Sequence, residues 1–406
     1  MKILILGLNY APEYISTGIY STGLAQGLVE RGAQVSVVCA NPYYPQWRIW
    51  DGYRGKLWSQ TTENGVDITR CSIYVPASPS LLKRLAHYLS FFVSSIGPLL
   101  WRALKERPDY IIMVAPTIIN APAVWLAGKL SGAKTWVHVQ DFEVGAGMAT
   151  GLLDAGNIVG RLAIWTEKTL LSLFDQASTI SPGMCKRMNT LRAGRRPTYE
   201  LRNWANIAHI QYLTEPSPYR KEWNIDAPYV LLYSGNIAFK QGIEIVVDSA
   251  KQLKHRGDIQ FVICGDGPYR AQLIDMVKDL GNVQVHPLQP VERLNQLLSL
   301  ATIHLLPQKA EVADSVLPSK LTNMLASGRP IIVTAEADMD LAAETRGCGV
   351  AVPPGDVAAF SAAIEQLLDA PERRLEYSKA SRRRAEEIWD RENILDRLFD
   401  FLEAKA

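Results

Sequence analysis

Short apolar runs rich in β-branched residues recur along the chain, each followed by a longer stretch with helical spacing. In the first half they are Lys2 to Leu6, Gln34 to Cys39, Asp109 to Val114 and Thr135 to Val139. In the second half they are Tyr229 to Tyr233, the run from Phe261 into Cys-Gly-Asp-Gly-Pro, Val283 to Leu288, Ile303 to Leu306, and Pro330 to Thr334. Near-continuous apolar runs of this length suit parallel strands buried on both faces. The helical stretches between them, such as Ile19 to Arg31 before Gly32, complete strand–helix–strand units. The expected fold is α/β, with doubly wound Rossmann-like sheets whose ligands bind beyond the carboxyl ends of the strands.

A chain of 406 residues exceeds the size at which single cores stop growing, so two domains are expected. The proline-rich stretch Thr-Glu-Pro-Ser-Pro-Tyr marks a boundary near 205–225. That gives domains at 1–205 and 206–385, with a helical tail at 386–406. Hydrophobic content of 48% and charged content of 21% are those of an ordinary globular protein. A net charge of +2 carries no polyanion signature and argues against nucleic acid. Five dispersed cysteines without metal-type spacing point to buried free thiols in a reducing compartment, and no metal site is expected. The opening residues read as a first strand rather than a signal peptide. No apolar run reaches the eighteen or more residues of a membrane span.

Two stretches carry unpartnered chemistry. Asn41 to Tyr53 is crowded with Tyr43, Tyr44, Trp47, Trp50 and Tyr53, and its prolines forbid a central strand. It either stacks on sugars or lipid, or packs over the domain as a lid. Leu81 to Arg107 places Phe91, Phe92, Leu99 and Trp101 between basic ends. It either lies in a membrane interface, apolar side down, or is a sheet-packed helix with solvated ends.

The candidate chemistry concentrates at 311–332, Glu-Val-Ala-Asp-Ser-Val-Leu-Pro-Ser-Lys-Leu-Thr-Asn-Met-Leu-Ala-Ser-Gly-Arg-Pro-Ile-Ile. Here a loop closing at Leu317-Pro318 feeds a helix from Ser319 to Ala326, with Ser319 as its expected N-cap and Gly328 as its terminator. Unpaired amides at a helix start suit a diphosphate, and Lys320 in the first turn adds a cation there. The plain alternative is a surface lysine. In the first half, His138 and Gln140 share one side of a strand, with Asp141 and Glu143 just past its end, where catalytic groups belong in this architecture. His138 is otherwise a satisfied core residue. The loop before the first helix, Thr17-Gly18-Ile19-Tyr20, lacks the GxGxxG dinucleotide fingerprint; Gly18 there reads as a loop-to-helix hinge.

The motifs Ser-Gly-Asn-Ile-Ala-Phe-Lys-Gln-Gly, Cys-Gly-Asp-Gly-Pro and Val-Leu-Pro-Ser-Lys-Leu-Thr-Asn-Met-Leu-Ala-Ser-Gly-Arg-Pro, in this order over nearly the whole chain, resemble the retaining glycosyltransferases of family 4. The variant sequence of the third resembles a branch that includes a colanic-acid fucosyltransferase. The family pattern has two glutamates before Gly-x-Pro. Counting back from Gly328 puts Asn323 at the second and Ser315 at the first, so both are replaced, with Asp314 adjacent.

The resemblance implies a GT-B fold: two Rossmann-like domains facing a cleft, with the C-terminal helix returning to the first domain. It implies donor contacts from Gly18, Gly235, Asn236, Gly265, Gly267, Leu288, Asp314, Ser315, Leu317, Pro318, Ser319 and Asn323. It assigns the diphosphate cations to Lys240 and Lys320, and sets His138 and Asp141 beside the reacting sugar. The implied enzyme is a retaining, metal-independent glycosyltransferase without a cofactor. Its partners would be a nucleotide sugar, GDP-fucose by preference, and a lipid-diphosphate-linked saccharide in exopolysaccharide assembly. It would be cytoplasmic and peripheral on the inner face of the cytoplasmic membrane. The alternatives are a nucleotide-sugar 2-epimerase of the same fold and a degenerate protein that only binds nucleotide sugar.

Overall fold

The structure, a computed structural model, describes the chain except residues 14–16, 79–80, 150–155, 194, 196, 206, 208, 310–316 and 406, and except the side chains of residues 81, 146, 149 and 240. The described residues form two units, Met1–Arg202 with Ile394–Ala406, and Asn203–Asn393.

The first unit is built on β1 (Lys2–Gly7), β2 (Gln34–Ala40), β3 (Trp58–Glu63), β4 (Val66–Cys71), β5 (Tyr110–Ala115), β6 (Lys134–Val139), β7 (Gln176–Thr179) and β8 (Tyr199–Glu200). They form one sheet in the order β3-β4-β2-β1-β5-β6-β7-β8. Only β3 runs antiparallel to its neighbour among these strands. Ile3 lies opposite Val35 on one side and Tyr110 on the other. Ile3, Leu4, Ile5 and Leu6 are all buried, as their uninterrupted apolar run requires.

Helix α1 (Thr17–Glu30) carries the chain from β1 to β2, while α2 (Leu81–Glu106), α3 (Ala121–Ser131) and α5 (Ile158–Leu171) cross the other way, into β5, β6 and β7; the short α4 (Glu143–Ala149) precedes α5. Right-handed crossovers therefore set α2, α3 and α5 on one face of the sheet and α1 on the other. The direction reverses between β1 and β5, which makes their carboxyl ends a switch point. On the α1 side the final segment packs into the same unit. Arg31 pairs with Asp396 at 2.7 Å, the Tyr110 hydroxyl donates to the Leu402 carbonyl at 3.0 Å, and Phe401 meets the Trp136 ring edge-on.

The second unit holds β9 (Tyr229–Ser234), β10 (Ile259–Cys264), β11 (Val283–His286), β12 (Ile303–Leu306), β13 (Ile331–Thr334) and β14 (Gly349–Val352). All pair in parallel in the order β11-β10-β9-β12-β13-β14. Phe261, Ile263, Leu305, Phe360 and Ile364 fill one core of this unit. Leu306, Leu321, Met324, Val333 and Trp389 fill a second. The Ala205 amide donates to the Trp389 carbonyl at 2.8 Å. That bond ties residues just after Asn203 to the chain just before Ile394. All five cysteines are free; four are buried and Cys185 is half-exposed.

Leu398, buried in the final segment, should matter to the first unit. Leu398→Ala is expected to cost about 2–5 kcal/mol, read as a shift of the denaturant midpoint.

Candidate functional site

The second sheet changes direction between β9 and β12, so their carboxyl ends frame its switch point. Gly235 follows β9, and Lys320 opens the helix Lys320–Ala326 after β12. The two meet. A Cβ added at Gly235, whose φ is +132°, would lie 3.4 Å from Lys320 Cδ and 3.7 Å from Nζ. The ammonium stands 4.1 Å from the centre of the Tyr233 ring, while the Tyr233 hydroxyl donates to the Asn236 carbonyl at 2.6 Å.

Lys320 Nζ is closed off from solvent and has no hydrogen-bond partner among the described residues. Burial pushes its pKa down to about 7. A buried charge without a counter-charge is costly. Among the described residues no hydrogen-bonding group offsets that cost.

The neighbouring cation is differently placed. Lys309 Nζ lies 3.4 Å from Glu244 and over the Phe239 ring, so it is already compensated. The side chain of Lys240 and the candidates Asp314 and Ser315 lie outside the described residues. Asn323 is half-buried one turn beyond Lys320 on the same helix.

Several expectations are corrected here. Ser319 is exposed with helical dihedrals, and its side chain makes no capping bond among the described residues. The first turn is closed instead by the Leu321 amide donating to the Pro318 carbonyl at 2.9 Å. The Leu317 side chain is buried in the core with Leu321 and Met324 and so packs rather than facing solvent. Packing alone requires glycine at 265 and 267. A Cβ on Gly265 would fall 1.8 Å from the Gly235 carbonyl oxygen, and one on Gly267 2.3 Å from that of Ile237. The two loops interlock backbone to backbone, tied by the Ile237 amide to the Asp266 carbonyl at 2.8 Å. The strand before Leu288 ends at His286, and Leu288 is 66% exposed at the rim.

A cavity of about 340 Å³ lies elsewhere, at the amino ends of β12 and β13. Its arginines serve backbone carbonyls: Arg220 those of Ala227 and Pro228, Arg329 that of Leu213. It is a structural seam away from the switch point.

In the first unit, His138 is buried, and both ring nitrogens are engaged. Nδ1 is 2.9 Å from Ser178 Oγ and Nε2 is 2.9 Å from the Gln140 amide nitrogen. With that amide donating, the ring proton sits on Nδ1. Burial pushes the pKa down to about 4, so the ring is neutral. His138 is a satisfied core residue, which removes it from the candidate bases. Asp141 is exposed at the strand end. Glu143 is turned inward, where Oε1 accepts from the Thr117 amide and from the Ile118 amide at 2.9 Å; burial holds its pKa up. Gly18 is buried against Glu13, whose carbonyl oxygen would stand 3.1 Å from an added Cβ. That contact accounts for a glycine at the hinge.

Comparison with known proteins decides the family. Residues 217–384 match the model of glycosyl transferases group 1, and residues 17–204 match the glycosyl transferase 4-like domain. The chain is 39% identical to the putative colanic acid biosynthesis glycosyl transferase WcaI of Escherichia coli K12, over 97% of this chain and 98% of the relative. The chain belongs to the family 4 glycosyltransferases. Its fold is similar to that of sucrose-phosphate synthase from Thermosynechococcus elongatus, at 17% identity and TM-score 0.74, with 100% of each chain covered. It is also similar to Anabaena HepE in complex with UDP-glucose, at 14% identity and TM-score 0.68, again over 100% of each chain. Those likenesses give the fold as GT-B, two Rossmann-like domains.

Sequence reading of this glycosyltransferase missed one organising acid. Glu13 is buried; its Oε1 accepts from the Tyr43 and Tyr44 amides at 2.7 and 2.8 Å, and its Oε2 from Asn9 at 2.7 Å. It fastens the aromatic loop, whose Tyr43 and Trp47 rings pack on His87. The loop therefore packs over the domain, as one of its two readings held. An acid four residues after Asn9, in a loop beyond a buried strand, was the available signal.

Two expected outcomes test this site in the glycosyltransferase. Lysine titrates near 10.4 when unfolded, so between pH 7 and 10 the unfolded chain binds more protons at Lys320, and stability there rises with pH. Lys320→Met should therefore raise the thermal midpoint at pH 7, by the equivalent of roughly 1–4 kcal/mol, with the gap to wild type narrowing toward pH 10. Glu143→Ala leaves two amides unserved and should cost about 2–4 kcal/mol, whereas Glu143→Gln keeps an acceptor and should cost under about 1 kcal/mol; chemical denaturation separates the two.

Proposed function

We propose that this glycosyltransferase moves a sugar, by preference fucose from GDP-fucose, onto a lipid-diphosphate-linked saccharide in exopolysaccharide biosynthesis. The reaction retains the anomeric configuration and calls on no metal ion. One observation carries the donor half: the buried Lys320 ammonium beside Gly235 at the carboxyl ends of β9 and β12, without a hydrogen-bond partner among the described residues. A nucleoside diphosphate supplies the missing negative charge, and the cation then offsets the charge that builds on the departing phosphate. HepE, which shares the fold, is complexed with UDP-glucose. The polysaccharide setting rests on the name of the Escherichia coli relative, and the fucosyl preference on motif resemblance to that branch.

In this reading the acceptor hydroxyl approaches the anomeric carbon on the face from which the diphosphate leaves. The bond to the leaving oxygen breaks as the new glycosidic bond forms, and the acceptor proton passes to the departing phosphate. Asp141, exposed at the end of β6, is the acceptor-side carboxylate that this reading uses. Glu143 is committed to amides. The lipid-linked acceptor places the work on the inner face of the cytoplasmic membrane.

The test is a panel of GDP-fucose, GDP-mannose, UDP-glucose, UDP-galactose and UDP-N-acetylglucosamine. Free nucleotide is scored with and without a lipid-diphosphate sugar. Acceptor-dependent release from GDP-fucose alone is expected. Lys320→Met should lower it at least about a hundredfold, and GDP binding by the wild type should take up a proton above pH 7. Release from a UDP sugar alone would replace the fucosyl assignment. Tight donor binding without release from any donor would leave only nucleotide-sugar binding.

A further inference from the structure

Helices α2, α3 and α5 lie side by side on one face of the first sheet, α2 against α3 and α3 against α5. Their inner sides are ordinary core: Phe91, Leu99 and Ala103 of α2, and Val124 and Ala127 of α3, are buried. Phe91 is thus withdrawn from the lipid-facing residues expected of 81–107. The outer sides are also apolar. On α2, Leu82, Leu85, Leu89, Val93, Trp101 and Leu104 form a stripe at helical spacing, with Leu82 77% and Val93 69% exposed. Trp125, Leu126 and Leu130 continue it on α3. On α5, Ile158, Val159, Leu162 and Trp165 are 83%, 60%, 60% and 62% exposed.

Scattered exposed apolar side chains need no explanation, but a contiguous face of them on three helices does. Charge on the same face is one-sided. Lys83, Arg84, Lys105, Lys129, Arg161 and Lys168 are all exposed. The acids of these helices are Glu106 and Glu167. Glu106 binds Arg102 and Ser36, and Glu167 is buried. The chain as a whole is nearly balanced, with 43 basic and 41 acidic residues, so the bias is local. Trp101, Trp125 and Trp165 stand out from the face, and Lys105 lies 4.5 Å over the Trp101 ring. Exposed tryptophan beside lysine and arginine, over an apolar stripe, is the composition of a bilayer headgroup boundary. No helix among the described residues is long and apolar enough to cross a membrane.

We propose that the outer face of α2, α3 and α5 docks on an anionic lipid bilayer, with Ile158, Leu162 and Trp165 of α5 inserting among the headgroups and the flanking lysines and arginines meeting their charge. This deepens the proposed function, resting on it for the presence of a lipid-linked acceptor nearby. It moves the membrane contact from a single helix to a three-helix plane in which α5 is the most protruding part.

The experiment is flotation of the full chain with phosphatidylcholine vesicles, with and without phosphatidylglycerol. Nucleotide release from the donor panel is measured in parallel. Binding to the anionic vesicles is expected, falling with added salt. The double variant L162S/W165S should weaken it at least about tenfold, with the far-ultraviolet spectrum and donor binding unchanged. A triple charge reversal at Lys129, Arg161 and Lys168 should abolish the preference for anionic lipid. Unaltered flotation of both variants would overturn the proposal. So would a dimer in light scattering that L162S/W165S dissociates, because the face would then cover a second copy. Flotation without nucleotide release from any donor would uphold the surface and sink the transferase reading of its purpose.

Discussion

A lysine ammonium sealed off from solvent beside a glycine is the constraint on which the second unit's chemistry depends. Desolvating the ammonium costs several kcal/mol, and nothing among the described residues repays it. Parallel β9 and β12 fix the ends from which Gly235 and the chain toward Lys320 depart. The Tyr233 face offers partial compensation. An anion bound beside it would offset that cost. Stability is given up for a preorganised charge, a trade common at active sites.

Central strands such as β1 and β5 were legible because each is an apolar run followed by a helical segment, whereas β3, β4, β7 and β8, polar or short, were missed. The sites were legible only as regions. Lys320 could be read from its unusual place in a first turn, since a cation against the helix dipole asks for a reason. Ser319 and Leu317 misled because sequence shows a capping residue type and an apolar loop residue but not where each side chain turns. His138 misled for a related reason. Its hydrogen-bond partners, Ser178 on the next strand and Gln140 on its own, are brought to it by the pairing of β6 with β7. That pairing has no trace in the local sequence. The glycines of the β10 loop were noticed, but their purpose was visible only when the facing carbonyls were in place.

The first unit uses carboxylates in an unexpected way. Glu13, in the loop after β1, and Glu143, at the start of α4, both lie just past the carboxyl ends of central strands, where reactive acids are usually sought. Each instead serves two backbone amides. They act as internal fasteners, holding the aromatic loop and the segment after β5 in single conformations. Both acids are thereby committed to the backbone, while Asp141, two residues before Glu143, is left exposed.

The interlocked turns after β9 and β10 have a consequence for how such an enzyme can change its substrate. Because the Cα atoms of Gly265 and Gly267 press on carbonyls of 235–237, neither turn can acquire a side chain without displacing the other and, with it, the glycine beneath Lys320. Drift at these positions is therefore closed off. The floor beneath Lys320 is thus fixed by packing, whereas the rim at Leu288, exposed and unencumbered by such packing, is where sequence can wander. Diversification among these enzymes, on this architecture, would be written at the edge of a fixed floor.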